Sequence, residues 1–192
     1  MIPTNSAGYT VDKKAVVSNA VTEWDFGAYK VASFDIHQEN GAVAQFNVLK
    51  CPDWVNIIAV LGSGEIVLVR QFRHALGRET LELPGGIVDD GKTPFQAAQD
   101  ELLEEAGFFG GEWIQLGCYL ANPGLQNNYV HTFLCRNPSF KEGSEQEDGV
   151  MVRLMSPQDF IVGLHHGELS QSFMLASVFM AINQGFIQFQ SK

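Results

Sequence analysis

With 192 residues, 45% of them hydrophobic, the sequence can bury the core of one domain with an N-terminal extension, and no second catalytic domain fits in this length. Its formal net charge of −10, with only 12 scattered lysines and arginines, argues against a nucleic-acid partner, because phosphate backbones are bound mainly by clustered cations. No apolar stretch is typical of an export signal or a membrane span, so we expect a cytoplasmic protein with no membrane partner.

The first predicted elements are the strands of a small antiparallel sheet. Residues 1–22 have no regular pattern and are expected to form an arm at most. Residues 28–45 alternate in polarity around Asn40-Gly41, a dipeptide that favours a type I′ turn, and this pattern predicts a hairpin. A second hairpin is predicted from residues 55–60 and 65–70, which are rich in β-branched side chains, and a short strand follows at residues 80–83.

A glycine-rich loop and a helix are predicted from residues 85–108, GGIVDDGKTPFQAAQDELLEEAGF. Thr93 and Gln96 form a capping-box pattern, and Pro94 suits the first helical position. Gly107 suits the residue that ends the helix in a left-handed conformation. The predicted helix therefore runs from Pro94 to the residue before Gly107.

Three glutamates, Glu101, Glu104 and Glu105, cluster on one side of this helix, with Asp100 beside them. Like charges four residues apart cost roughly 0.2–0.5 kcal/mol per pair, so a cation is expected to offset them. Carboxylate oxygens suit Mg²⁺ or Mn²⁺, which also bind substrate phosphates directly. The pattern indicates a divalent-metal site for a phosphate-bearing substrate, and the alternative is a solvated acidic helix face.

The remaining elements complete an α/β fold of the α+β kind. Residues 113–120, 129–136 and 151–155 are predicted strands, Ser156-Pro157 begins a helix, and residues 170–183 form an apolar helix that stops at Gly185. We expect a mixed sheet with helices on both faces, preceded by the small N-terminal sheet. The expected boundary lies near Gln45, which divides the chain into residues 1–45 and 46–192.

The segment around the glutamates resembles the Nudix hydrolase signature, Gly, five residues, Glu, seven residues, then Arg-Glu-hydrophobic-x-Glu-Glu-x-Gly-hydrophobic. The matching positions are Gly86, Glu101, Leu102, Glu104, Glu105, Gly107 and Phe108. Lys92 stands where the family has Glu, and Asp100 where it has Arg. Because both departures reverse the charge, we expect Lys92 and Asp100 to form the family's bridge with its polarity swapped. The resemblance covers roughly residues 44–183 and implies the Nudix α/β/α sandwich.

Three further segments, VRQFR, LELPGG and the stretch around Pro123, resemble the ADP-ribose and nucleoside-diphosphate-sugar pyrophosphatase branch of this family. The resemblance implies metal-dependent hydrolysis of a pyrophosphate bond, which would convert ADP-ribose into AMP and ribose 5-phosphate. It also implies a homodimer formed through residues 1–45. Two alternatives stay open: a Nudix pyrophosphatase for dinucleoside polyphosphates, coenzyme A or nucleoside triphosphates, and a non-catalytic sensor of nucleotide sugars.

The resemblance also implies a metal-ligand set for Mg²⁺ or Mn²⁺. Glu101 and Glu105 would be the core ligands, Glu104 an additional ligand, and the carbonyl of Gly85 a further oxygen.

The resemblance also implies residues for substrate binding and for proton transfer. Arg73 would contact the diphosphate, since a guanidinium fork matches phosphate geometry. Glu82, Arg78 and Trp24 are assigned to substrate binding, although Trp24 also suits a core or an interface. The general base is expected in the acidic loop KEGSEQEDGV, where we favour Glu147 over Glu145 and Asp148; a base on the helix itself, such as Glu105, is the alternative.

Overall fold

The computed structural model describes residues 15–38 and 41–187, which divide into two compact units. One unit ends at Cys51 and also includes Asn122–Asn127, and the other comprises the remaining residues from Pro52 onward. The first unit extends beyond the expected boundary at Gln45 because its last strand continues to Lys50.

The described part of the first unit forms a three-stranded antiparallel sheet in the order β1-β2-β3. Its strands are β1 (Ala15–Asp25), β2 (Lys30–Gln38) and β3 (Val43–Lys50). The predicted hairpin is confirmed by the pairing of β2 with β3, and Gly41 has a φ of 80°, whereas Asn40 of the predicted turn lies outside the described residues. The expectation of an unpatterned arm is wrong for residues 15–22, which belong to β1. Register shifts within β1 interrupt the alternation that would have predicted a strand.

The described residues of the second unit form eight strands and three helices. The strands are β4 (Trp54–Val60), β5 (Ile66–Arg73), β6 (Arg78–Glu82), β7 (Phe108–Phe109), β8 (Glu112–Leu120), β9 (Tyr129–Arg136), β10 (Ser139–Phe140) and β11 (Val150–Met155). The helices are α1 (Pro94–Ala106), α2 (Pro157–His166) and α3 (Ser172–Asn183). The main sheet has the order β11-β5-β4-β9-β8 with β6 paired to β5, and β4 runs parallel to β9. The predicted mixed sheet is therefore confirmed.

Helices cover both faces of this sheet. On β4, Val55 and Ile57 pack in one core with α1, whereas Ile58 packs in a second core with α2 and α3. The division follows from the strand itself, since successive side chains point to opposite faces. The predicted α/β/α sandwich is thus confirmed.

The helix ends follow the expected capping rules, with one shift. The Thr93 capping box begins α1, and Gly107, with a φ of 74°, ends it. Helix α2 begins after Ser156 as predicted, whereas α3 begins at Ser172 because the side chain of Gln171 accepts a hydrogen bond from the Met174 N–H. No helix in the described part of the chain is long and apolar enough to cross a membrane.

Candidate functional site

Two glycines allow the loop before α1 to approach its neighbours closely. A β-carbon on Gly85 would lie 2.2 Å from the carbonyl oxygen of Val55, and one on Gly86 would lie 2.1 Å from a carboxylate oxygen of Glu101. At Gly85 the obstacle is backbone, so only glycine fits there, whereas a side chain at position 86 would force the Glu101 carboxylate to move. The loop backbone is therefore pressed against β4 on one side and against the carboxylates of α1 on the other.

Glu105 is a buried carboxylate with both oxygens bound. Its Oε2 accepts a hydrogen bond of 2.8 Å from the Gly85 N–H, and its Oε1 accepts one of 3.5 Å from Gln71 Nε2. Burial raises the pKa of Glu105 to about 7, the Gly85 N–H opposes that rise, and the nearby carboxylate of Glu147 adds to it. Glu105 therefore links α1, the glycine loop and β5.

Glu101 lies one helical turn before Glu105 and carries the larger electrostatic perturbation. Burial raises the pKa of Glu101 to about 8, and the negative charges of Glu105, Glu104, Glu147 and Asp89 contribute further. A divalent cation would offset both the cost of burying the charged carboxylate and its repulsion by the neighbouring negative charges. In residues 15–38 and 41–187, no three Asp, Glu, His or Cys side chains converge on a point that could hold an ion. Magnesium is commonly held by one or two carboxylates with waters and substrate phosphates, an arrangement for which Glu101 and Glu105 have suitable oxygens.

Arg73 and Glu82 form a bidentate pair on β5 and β6. Arg73 Nε donates to Glu82 Oε1 at 3.0 Å and Nη2 donates to Oε2 at 2.7 Å, while Thr80 Oγ1 donates to Oε1 at 2.6 Å. Burial opposes ionisation of Glu82, but the Arg73 and Thr80 hydrogen bonds hold its pKa below the usual value. The two hydrogen bonds orient the guanidinium through Nε and Nη2, and the Arg73 Nη1 takes no part in this pair. The hydrogen bonds to Glu82 raise the pKa of Arg73, and Glu105 and Glu147 lie close enough for their charges to add to that rise.

Gln71 and Thr80 are site residues that the sequence interpretation missed. Each lies two positions before a predicted site residue on the same strand, Gln71 before Arg73 and Thr80 before Glu82, and the two are register partners. Side chains two apart on a strand share a face, so the alternation of β5 and β6 is the signal that would have identified them.

The acidic loop after β10 is attached to the C-terminal end of α1. The N–H of Glu147 donates to the carbonyl of Glu104 at 2.9 Å, and the N–H of Lys141 donates to the carbonyl of Gly107 at 2.9 Å. These backbone bonds bring Glu147 close enough to Glu101 and Glu105 for its charge to raise their pKa values. Glu145, Glu147 and Asp148 are all exposed in this loop. Glu104 is itself exposed on α1.

The expected swapped bridge is confirmed. Lys92 Nζ lies 3.1 Å from Asp100 Oδ2 and 3.1 Å from Asp89 Oδ2. Asp100 and then Asp89 raise the pKa of Lys92 above its usual value. The lysine thereby joins the loop to α1 at the positions where the family signature has a pair of opposite polarity.

The remaining predicted substrate residues are Arg78 and Trp24. Arg78 is the register partner of Arg73 and lines a cavity of about 510 Å³ with Glu82 and Glu168. Trp24 is an exposed residue of β1 in the first unit.

Comparisons with known proteins agree with the motif at residues 85–108. The NUDIX domain matches residues 52–173. An ADP-ribose pyrophosphatase of Bacillus subtilis (strain 168) is 32% identical over 114 residues, which cover 59% of this chain and 62% of that protein. The ADP-ribose pyrophosphatase of Mycobacterium tuberculosis (strain ATCC 25618 / H37Rv) is 28% identical over 159 residues, or 80% of this chain and 77% of that protein.

Solved structures show the same fold. A crystal structure of an ADP compounds hydrolase superposes with a TM-score of 0.75 at 20% identity and covers 91% of this chain and 98% of that chain. The chain spans about three fifths of the length of the Bacillus subtilis relative.

Proposed function

The chain belongs to the Nudix family, and from this premise we propose that it hydrolyses the pyrophosphate bond of a nucleoside diphosphate sugar such as ADP-ribose. The products would be a nucleoside monophosphate and a sugar phosphate. The observation that carries the proposal is the convergence of Glu101 and Glu105, the Gly85-Gly86 loop and the Arg73–Glu82 pair in one site. Two relatives named ADP-ribose pyrophosphatase support the substrate class.

Nudix hydrolases generally depend on a divalent metal, and we propose Mg²⁺ or Mn²⁺ for this protein. Glu101 and Glu105 would hold it, with Glu104 and the Gly85 carbonyl as further oxygens. When bound, the metal would neutralise the diphosphate oxygens and lower the pKa of a water. The hydrogen bonds of Glu105 to Gly85 and Gln71 orient its carboxylate for this purpose.

The protein side chains would position the diphosphate and move the proton. Arg73 would bind the diphosphate through guanidinium N–H groups that Glu82 does not use, and Glu82 would keep the guanidinium in place. Glu147 would accept the proton of the attacking water, because its loop is attached to α1 close to Glu101 and Glu105. Glu145 is the second choice for this role.

We further propose a cytoplasmic homodimer that associates through the first unit. That unit exposes aromatic side chains, including Trp24, Phe26 and Tyr29, which suit an interface or contact with a base. Trp24 and Arg78 are proposed to contact the substrate outside the diphosphate.

A screen of nucleotide substrates with Mg²⁺ tests the proposal. Release of phosphate after adding a phosphatase would be followed with ADP-ribose, other nucleotide sugars, dinucleoside polyphosphates, coenzyme A and nucleoside triphosphates, with and without EDTA. We expect hydrolysis of ADP-ribose or a related nucleotide sugar that stops in EDTA, with the two monophosphates as products. Binding of a nucleotide sugar without turnover would instead identify a sensor, and full activity in EDTA would exclude the metal-dependent reaction.

A further inference from the structure

Asn56 is a polar side chain inside the apolar strand β4. Its neighbours Val55, Ile57 and Ile58 are fully buried, and Asn56 itself is only 2% exposed. Asparagine is disfavoured in strands, and a buried amide is costly unless its hydrogen-bonding groups have partners. The contacts of the Asn56 amide therefore indicate its structural role.

One end of the Asn56 amide is held by a buried hydroxyl pair. Asn56 Nδ2 donates to Ser177 Oγ at 3.4 Å, and Thr132 Oγ1 lies 3.0 Å from the same oxygen. Ser177 Oγ in turn donates to the carbonyl of Phe173 at 2.8 Å. A hydroxyl has one hydrogen and two lone pairs, so Ser177 can satisfy all three contacts together when Asn56 and Thr132 donate. The amide is thus oriented by α3 and β9.

The other end of the amide faces Gly85. A β-carbon on Gly85 would lie 2.8 Å from Asn56 Oδ1, in addition to its contact with the backbone of Val55. Gly85 also donates its N–H to Glu105 Oε2 at 2.8 Å. Gly85 is therefore in contact with both the Asn56 amide and the carboxylate of Glu105.

The loop around Gly85 follows the edge of β4 at this point. The N–H of Val55 donates to the carbonyl of Gly86 at 2.8 Å, and the N–H of Ile57 donates to the carbonyl of Pro84 at 2.9 Å. These two bonds flank Asn56 along the strand and Gly85 along the loop. They fix the distance between the backbone of β4 and that of the loop. The Asn56 side chain then limits how the Gly85 peptide can rotate.

We propose that Asn56 is a positioning residue for the metal site: it sets the orientation of the Gly85 peptide and, through the Gly85 N–H, that of Glu105. The inference rests on the proposed function, in which the Gly85 carbonyl and Glu105 are metal ligands. Groups that orient metal ligands typically change metal affinity or activity 10–100-fold when altered. Ser177 accepts a hydrogen bond from Asn56 directly, whereas Thr132 hydrogen-bonds to Ser177 from β9.

The test compares Mn²⁺ binding by four metal-free proteins in titration calorimetry: wild type, Asn56→Leu, Ser177→Ala and the control Thr132→Val. Leucine keeps the branching of asparagine and removes its polar atoms. We expect Asn56→Leu to raise the Kd for Mn²⁺ roughly 10-fold and Ser177→Ala to raise it by a smaller factor. Thr132→Val should lower the melting temperature and leave the Kd within about twofold of wild type.

Steady-state kinetics with ADP-ribose provide the second readout. Asn56→Leu should need more Mg²⁺ for half-maximal activity, with little change in the KM for ADP-ribose at saturating Mg²⁺. Wild-type Mn²⁺ binding in Asn56→Leu would overturn the inference; should that variant fail to fold, wild-type binding in Ser177→Ala would do so. A wild-type protein that hydrolyses no nucleotide refutes the proposed function instead, and the Mn²⁺ titrations still decide the role of Asn56.

Discussion

At the residue scale, the position of the Glu105 carboxylate is fixed by burial and hydrogen bonds. It is 3% exposed, and both of its oxygens accept hydrogen bonds. We predict that Glu105→Gln lowers kcat by about 10²–10³, since the amide keeps the shape but loses the charge, a loss on the order of 2.7–4 kcal/mol in the transition state. Steady-state kinetics at saturating Mg²⁺ measure the decrease in kcat. The control is Glu104→Gln, at an exposed position, and its kcat should decrease less. Undiminished turnover in Glu105→Gln would exclude the proposed metal chemistry.

Glu147 is the proposed base, and its loop position follows from backbone bonds that a side-chain change leaves intact. Glu147→Gln should lower kcat by at least about 10² with little change in KM, as expected for proton transfer in the transition state. Glu145→Gln, in the same loop, is the matched control and should have a smaller effect. If Glu145→Gln or Asp148→Asn is the more damaging change, the base lies in the loop but is not Glu147.

Glu101 also predicts how stability depends on pH in the absence of metal. Burial and neighbouring charges raise its folded pKa from 4.5 to about 8, so the folded state holds this proton more tightly than the unfolded state. Its contribution therefore favours folding at low pH and is lost as the pH rises from about 4.5 to about 8.

We expect EDTA-treated protein to lose more stability between pH 5.5 and 8 than Glu101→Gln does in the same range. Urea unfolding of both proteins at several pH values measures the difference. Added Mg²⁺ should restore wild-type stability at pH 8 and have less effect on Glu101→Gln. Parallel pH profiles for the two proteins would show that Glu101 titrates in its ordinary range.

At the element scale, the Lys92 bridge joins the loop to α1 and makes a coupling prediction. Lys92→Glu should destabilise the protein, because the new carboxylate would face both Asp100 and Asp89. Asp100→Arg should also destabilise it, and the double change should recover part of the loss by restoring a pair of opposite charges, with Asp89 limiting the recovery. Thermal unfolding of the four proteins in Mg²⁺ measures the coupling. Single effects that simply add would show that the two reversed charges act independently.

Elements whose determinants are local were predictable from the sequence. The Thr93 capping box and Gly107 set the limits of α1, and runs rich in β-branched residues identified β4 and β5. Strand β1 was missed because register shifts interrupt its alternation, and the two-residue strands β7 and β10 are too short to have a pattern.

The chemistry of the site was predictable only where it follows a motif. The signature identified Glu101 and Glu105, but it contains no information about Gln71, Thr80 or Asn56, which reach the site through strand pairing. Such contacts depend on register between distant segments, and register is decided by the packing of the whole sheet.

At the scale of the whole molecule, association is the main prediction. The first unit exposes Phe26, which is 60% exposed and stacks on Tyr29 at 5.5 Å between ring centroids. We expect a dimer in light scattering, and we expect Phe26→Glu to weaken it by placing a charge in the apolar contact. Phe179→Glu, at a 67% exposed position of α3 in the second unit, is the control and should leave association unchanged. A monomeric wild-type protein at assay concentration would contradict the proposal.

The parallel pairing of β4 with β9 has a consequence for how the chain folds. Trp54 pairs with Val130 and Val60 with Arg136, so β4 must wait for a strand that comes 76 positions later in the sequence. Pairing over such a separation is slow, because loop-closure entropy is lost before the contact is gained. During synthesis, residues 85–108 leave the ribosome well before β9 does, and the strand that supports their loop still lacks one neighbour. Residues 85–108 are the easiest segment to recognise in the sequence, and we expect them to be among the last to reach their native geometry.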